Sequence, residues 1–318
     1  MSLFSSVSKR LTRQYIAVIV EENRCRIRQK IVKNKNVLYL EEHSFDIPSK
    51  DDLGVEVKNF LLKLQEENDQ TYIALFLNSL GQGVIPVCDE KLLEKFHIDQ
   101  KSIKTICVEN RFMMYATQID VKWADKLFQD IGLDFVFSPF LVLDYFIQKE
   151  EVIAGQVTLN ILNTHNALTI MINKDSHLLY GSFFNVAKDE NLLYTDYTQE
   201  EESFDEIDLD DVQDDVEMDE IGNISDNSNF VTNILKEQET LSAQDERIIK
   251  YLSAALREFY SDDLYESEFI HQAKIYDSAG MHEGVMAYIE NELLLDTSAV
   301  NISVRDAIIE LSQKEVLA

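Results

Sequence analysis

Two stretches of this 318-residue chain share one pattern, three strand-like runs joined by short polar turns, and that repetition restricts the fold more than any other feature. In the first, the runs YIAVIV from Tyr15, RCRIRQKIV from Arg24 and NVLYLEEHSF from Asn36 are broken by turns at Glu21–Asn23 and Lys33–Asn36. Their β-branched and aromatic residues suit a pleated, half-buried backbone, so an antiparallel meander over 15–47 is expected. The second, over 157–185, has runs Val157–Leu162, Ala167–Asn173 and His177–Asn185, with turns at Asn163–Asn166 and Lys174–Ser176.

Each meander opens an α/β segment. After the first, Asp51–Glu67 places Leu53, Val57, Phe60, Leu61 and Leu64 at helical spacing, and Tyr72–Leu77 reads as a buried strand. A helix-like Asp89–Phe96, strands Thr105–Val108 and Arg111–Gln118, a helix over Lys122–Gly132 and an apolar helix Pro139–Ile147 follow. After the second come helices Asn229–Thr240 and Ser242–Tyr260, the latter with Ile248, Ile249, Leu252, Ala255, Leu256 and Phe259 on one stripe. A strand Ala273–Tyr276, a turn Ser278–Gly280, a helix Met281–Leu293, a strand Val300–Ile302 and a helical tail complete the chain. The expectation is a duplicated α/β fold of two lobes, 15–150 and 151–318, preceded by a basic arm over 1–14.

Charge excludes some functions. A formal net charge of −29 repels phosphate backbones, so nucleic acid is not an expected partner. Between Glu200 and Glu220, 13 of 21 residues are acidic and none is basic, and removing those charges leaves −16 for the rest. Such a run buries too little apolar surface to order itself, so 198–229 is expected to be a disordered acidic insertion. It is a solvated loop or an electrostatic decoy for a basic partner. No stretch approaches 18 consecutive apolar residues, so no membrane span is expected. Cys25, Cys88 and Cys107 are odd in number, widely spaced and set in or beside apolar strands, which predicts buried thiols in a reducing cytoplasm.

Several strings, in order, resemble the actin-like pilus-assembly and secretion-platform proteins PilM and GspL. MSLFSS with the following YIAVIV is similar to the family's short arm and first strand. TYIALFLNSLGQGVIP resembles its strand-turn-strand passage, and RFMMYATQIDVKWADKLFQDIGLDFVFSPFLVL its strand, helix, Gly-Leu pair and apolar helix. VTLNILNTHNALTIMINKDSHLLYGSFF resembles the second hairpin, and KIYDSAGMHEGVMAYIENEL the adenosine loop with its helix. The resemblance implies a two-lobed actin-like ATPase (ribonuclease-H-like) fold. It also implies a cytoplasmic scaffold of a type IV pilus, type II secretion or DNA-uptake machine. Such a scaffold receives a short cytoplasmic peptide of an inner-membrane component and contacts an assembly ATPase.

Nucleotide-binding members of that superfamily carry an Asp-x-Gly turn in each meander, because glycine lets the backbone approach phosphates and aspartate orients magnesium-bound water. Here the first turn is Glu21, Glu22 and Asn23, and the second is Asn163, Thr164, His165 and Asn166. Neither offers an Asp-x-Gly. The adenosine loop is Asp277, Ser278, Ala279 and Gly280, which keeps one glycine. These positions form a degenerate nucleotide cleft, with no cofactor and no catalysis expected and an ATP-binding switch as the alternative.

Other candidates carry less. Gly81-Gln82-Gly83 lacks a third glycine and a following helix, so it reads as a turn rather than a dinucleotide fingerprint. Asp208, Asp210 and Asp211 lack the glycine and glutamate of a calcium loop. His165 has no nucleophile assignable to it and reads as a turn histidine.

Overall fold

The computed structural model describes residues 12–151, 153–187 and 241–317. The acidic insertion, most of the N-terminal arm, the helix expected over Asn229–Thr240 and the Asp208–Asp211 cluster lie outside the described residues.

Strands β1 (Arg13–Val20), β2 (Arg24–Lys33) and β3 (Asn36–Asp46) form the first meander, helix α1 (Gly54–Glu67) follows, and β4 (Thr71–Phe76) and β8 (Phe135–Phe137) complete a sheet of order β3-β2-β1-β4-β8. Strands β9 (Val157–Asn163), β10 (Ala167–Lys174) and β11 (His177–Asn185) form the second, followed by α4 (Ala243–Ser261), β12 (Gln272–Asp277) and β13 (Asp296–Asn301) in a sheet of order β11-β10-β9-β12-β13. In both sheets the meander is antiparallel and the later strands run parallel to its first strand, with Ile16 opposite Ile73 in one and Ile161 opposite Ile275 in the other. The duplication is therefore one of topology as well as pattern, as an actin-like fold requires.

Period-two alternation decides what each strand buries. On β1, Ile16, Val18 and Val20 meet Val57, Leu61 and Leu64 of α1, while Tyr15 and Ala17 face a central core. Helices α3 (Pro139–Ile147) and α6 (Val304–Leu317) fill that core between the sheets. Helix α3 packs on β9 and β10, and α6 on β1 and β4, so each sheet is covered by a helix from the other half of the chain. This explains why α3 is apolar nearly all round, with Phe140, Val142, Leu143 and Tyr145 buried. Ser138 opens it by accepting a hydrogen bond from the Phe140 N–H, and Pro139 occupies the first turn. Helix α4 is closed by a capping box between Ser242 and Asp245 and buries Ile248, Leu252, Ala255, Leu256 and Phe259, while α5 (Glu283–Asn291) packs on the same sheet. Among the described residues no helix is long and apolar enough to cross a membrane.

Between β4 and α2 (Gln118–Leu127) the chain inserts a three-stranded sheet, β5 (Gln82–Ile85), β7 (Phe112–Thr117) and β6 (Ile103–Val108), with β7 central. The expected helix Asp89–Phe96 is a 3-10 segment over Glu90–Phe96, capped by Asp89. Gly81-Gln82-Gly83 is only partly a turn, since Gln82 and Gly83 already pair with Ala116 and Tyr115. A Cβ on Gly83 would strike the Tyr115 hydroxyl, so close strand packing accounts for that glycine. The expectation of three separate thiols fails, because Cys88 and Cys107 form a disulfide with Cα atoms 5.5 Å apart, and Cys25 alone is a buried free thiol. Met113 pairs with Ile85 on one side and Cys107 on the other, so the chain leaving β5 needs only to cross the end of β7. A separation of 19 residues hid this closure from spacing arguments.

Candidate functional site

The three loops of the expected nucleotide cleft fall where the topology requires, at the ends of β1, β9 and β12. The first turn is closed by the Glu21 N–H donating to the Arg24 carbonyl at 2.8 Å, and the Glu21 carboxylate lies 3.3 Å from Arg26 Nη2. The second is closed by the Thr164 N–H and Oγ1–H, both donating to the Ala167 carbonyl at 2.9 and 3.0 Å. None of Glu21, Glu22, Asn23, Thr164, His165 or Asn166 has a positive φ. Both turns therefore lack the glycine residue and the backbone geometry that bring main-chain amides against a phosphate.

The third loop is satisfied from within. Asp277, nearly buried at the end of β12, accepts from the N–H groups of Ala279 and Gly280 at 3.0 Å through Oδ1 and from that of Met281 at 2.7 Å through Oδ2. Gly280 makes this possible with a φ of +86°. The buried Asn163 donates its Nδ2 to Asp277 Oδ1 at 2.8 Å, and the Ser278 N–H and Oγ–H both donate to the Asn163 carbonyl. A carboxylate thus takes the amides that would otherwise face an anion.

A cavity of about 230 Å³ opens between the lobes. Of the positions read from the sequence, Glu21, Thr164, His165, Asn166 and Ser278 line it. Asn163 and Asp277 stand behind the lining and hold the loop, while Glu22, Asn23, Ala279 and Gly280 do not contribute to the wall.

The rest of the wall combines apolar residues such as Ile19, Phe76 and Ile302 with a charged group that the sequence reading missed. Arg26, Arg28 and Glu42 come from the first sheet and Arg305 from the start of α6. Arg28 is ion-paired with Glu42 and with Asp306, and Arg305 Nη2 lies 3.0 Å from Glu42 Oε2. Two of these contacts cross from lobe to lobe. Part of this was readable, since Arg24, Arg26, Arg28 and Lys30 alternate with the buried Cys25, Ile27 and Gln29. Arg305 lies 263 residues from Glu42 and carried no such signal. Among the described residues no group of three or more His, Cys, Asp or Glu side chains is placed to hold a metal ion.

One solved structure shares this geometry at the level of the fold, and two others are similar over much of the chain. The structure of a PilM-PilN type IV pilus biogenesis complex matches 92% of this chain and 89% of its own, at 12% identity and a TM-score of 0.50. A Bacteroides thetaiotaomicron protein with actin-like ATPase fold and unknown function matches 98% of this chain and 99% of its own at 11% identity, with a TM-score of 0.49. The cytoplasmic domain of EpsL from Vibrio cholerae matches 72% of this chain and 97% of its own at 12% identity, with a TM-score of 0.32. No curated protein matches the chain by sequence. A family model described as Domain of unknown function (DUF8569) matches residues 11–144, and a second, Domain of unknown function (DUF8341), matches residues 159–317. With half of its length matched by the second of these, the chain belongs to the DUF8341 family, and that domain builds the second sheet of an actin-like fold.

Proposed function

We propose that this chain is a cytoplasmic scaffold of a pilus, secretion or DNA-uptake machine, holding a short basic peptide from an inner-membrane component rather than turning over a nucleotide. The observation that carries the reading is the Asp277 carboxylate seated on the three amides of its own loop. The amides of that loop are thereby taken from within, and Glu21 adds a carboxylate to the wall of the cavity. The arginines of the cleft are held in ion pairs, two of which tie the lobes together. The fold likeness to PilM in its complex with PilN supports the choice of machine. The net charge of −29 favours a basic partner.

A pull-down from the native membrane fraction tests this reading. Recovery of a bitopic membrane protein or a secretion ATPase is expected, and recovery of neither counts against the scaffold.

The second reading, an ATP-dependent actin-like switch, rests on Arg26, Arg28 and Arg305 lining one cavity. It requires ATP to displace Glu42 and Asp306 from those arginines, and so predicts a lobe movement on binding.

A further inference from the structure

The two ends of the disulfide in the inserted sheet differ in access. Cys107 lies near the end of β6, an edge strand of that sheet, and is exposed, whereas Cys88 is half-buried in the chain leaving β5. An exposed disulfide is open to attack by an external thiolate in the folded protein, which a buried one is not.

The segment that the bond closes is weakly held. Between Pro86 and Ser102 only Leu93 is buried, in a small core with Ile85, Ile103 and Met113, and Val87, Phe96 and Ile98 are partly buried around it. Further ties are hydrogen bonds at the surface. Thr105 Oγ1 and Gln100 Nε2 donate to the Glu90 carboxylate at 2.9 and 2.8 Å, and Gln118 Nε2 donates to the Lys101 carbonyl at 2.7 Å. The strands need less support, since β5 and β6 each pair with β7 along their whole length. Few buried contacts make for cheap local opening, so the Cys88–Cys107 bond, spanning 19 residues, is the tie that most restrains 86–102.

We propose that Cys88–Cys107 is a site of reversible thiol–disulfide exchange with a dithiol reductant, and that reduction frees 86–102 while the three strands and both lobes stay folded. A thiolate of the dithiol attacks the exposed Cys107 Sγ, the sulfur–sulfur bond breaks, and its electron pair leaves on Cys88 Sγ. The second thiol of the reductant then attacks the mixed disulfide and releases the Cys107 thiolate. Two electrons pass to the protein, its two thiolates take up the two protons, and the reductant is left as a cyclic disulfide. Phe96 lies on Tyr265 of the second lobe with ring centres 6.2 Å apart, so opening 86–102 loosens that contact between the inserted sheet and the second lobe. The packing of β5 on β11 stays in place. This inference rests on the geometry of the insertion and is independent of the scaffold reading.

Exchange on the native full chain tests it, with dithiothreitol as the dithiol, iodoacetamide trapping free thiols, and peptide-resolved hydrogen exchange before and after. Cys88 and Cys107 are expected to become alkylated without denaturant while the buried Cys25 does not, with circular dichroism unchanged. Hydrogen exchange in 86–102 is expected to rise by about a hundredfold on reduction, and excess oxidised glutathione to reverse the rise. The double variant Cys88→Ser with Cys107→Ser is expected to exchange like the reduced chain and to ignore dithiothreitol. A bond that resists dithiothreitol until the protein is denatured, exchange in 86–102 that is unchanged by reduction or by the double substitution, or loss of the whole fold with the bond would each overturn the proposal.

Discussion

At the scale of single residues, the most consequential pair outside the cleft is Arg111 with Asp144. The guanidinium makes two hydrogen bonds of 2.7 Å to the carboxylate, with side chains 14 and 5% exposed, and joins the start of β7 to α3. Hydrogen bonding to Asp144 pushes the Arg111 pKa above its usual value, so it remains charged. Asp144→Ala leaves that charge only the exposed Glu109, 3.2 Å away, and is expected to cost about 3 kcal/mol in urea unfolding, whereas Arg111→Met with Asp144→Leu costs far less. Burial pushes the Cys25 thiol from 9.0 to about 12. Because its folded pKa lies above the unfolded one, its contribution to stability is complete below pH 9 and is lost as pH rises toward 12. Tyr180 and Tyr276 are raised in the same direction, also by burial. At the acid end, burial pushes Glu310 up, but the Tyr145 hydroxyl and Lys149 outweigh it and hold its pKa below 4.5, so its contribution fades as pH falls below that. A melting series against pH is therefore expected to decline on both sides. The same thiol gives a simpler check: without reductant, one cysteine reacts with a thiol reagent after denaturation and none before, while three thiols in denatured protein would contradict the Cys88–Cys107 pairing.

At the scale of elements, legibility followed range. The strands at 157–163, 167–174 and 177–185 and the helix Pro139–Ile147 were readable because their apolar runs are local in the chain, and the first two strands are buried on both faces. The helix expected over Lys122–Gly132 instead runs Gln118–Leu127, because Thr117 accepts from the Asp120 N–H and caps it earlier. The missing Asp-x-Gly turns were visible in the chain, yet nothing in DSAG announced that Asp277 would take the amides of its own loop, since that depends on the path after β12. Packing between elements was hidden altogether. Gly181 of β11 lies where a Cβ would strike Val84 of β5, so the inserted sheet and the second lobe meet at that glycine. Gly181→Ala is expected to lower stability by about 1–3 kcal/mol through overpacking, read as a lower urea midpoint at unchanged slope. The additional substitution Val84→Ala should recover part of that loss.

At the scale of the whole molecule, two sheets of the same order are held together by a shared apolar core and, across the cavity, by Arg28–Asp306 and Arg305–Glu42. These pairs are partly exposed and contribute little to stability alone, but they set the spacing of the lobes where an actin-like switch would move. Asp306→Asn with Glu42→Gln keeps hydrogen-bond acceptors but leaves the largely buried Arg28 without a counter-charge, so it is expected to lower the melting point modestly and to increase hydrogen exchange in β2 and the first turn of α6. The proposed scaffold role requires this cleft to be closed to nucleotide by the self-satisfied Asp277 loop, Glu21 and the cross-lobe ion pairs. Calorimetry with Mg-ATP on the full chain tests it most directly. The account predicts no binding heat at ligand concentrations up to about 1 mM, an affinity weaker than about −4 kcal/mol, whereas saturable binding in the micromolar range would contradict it.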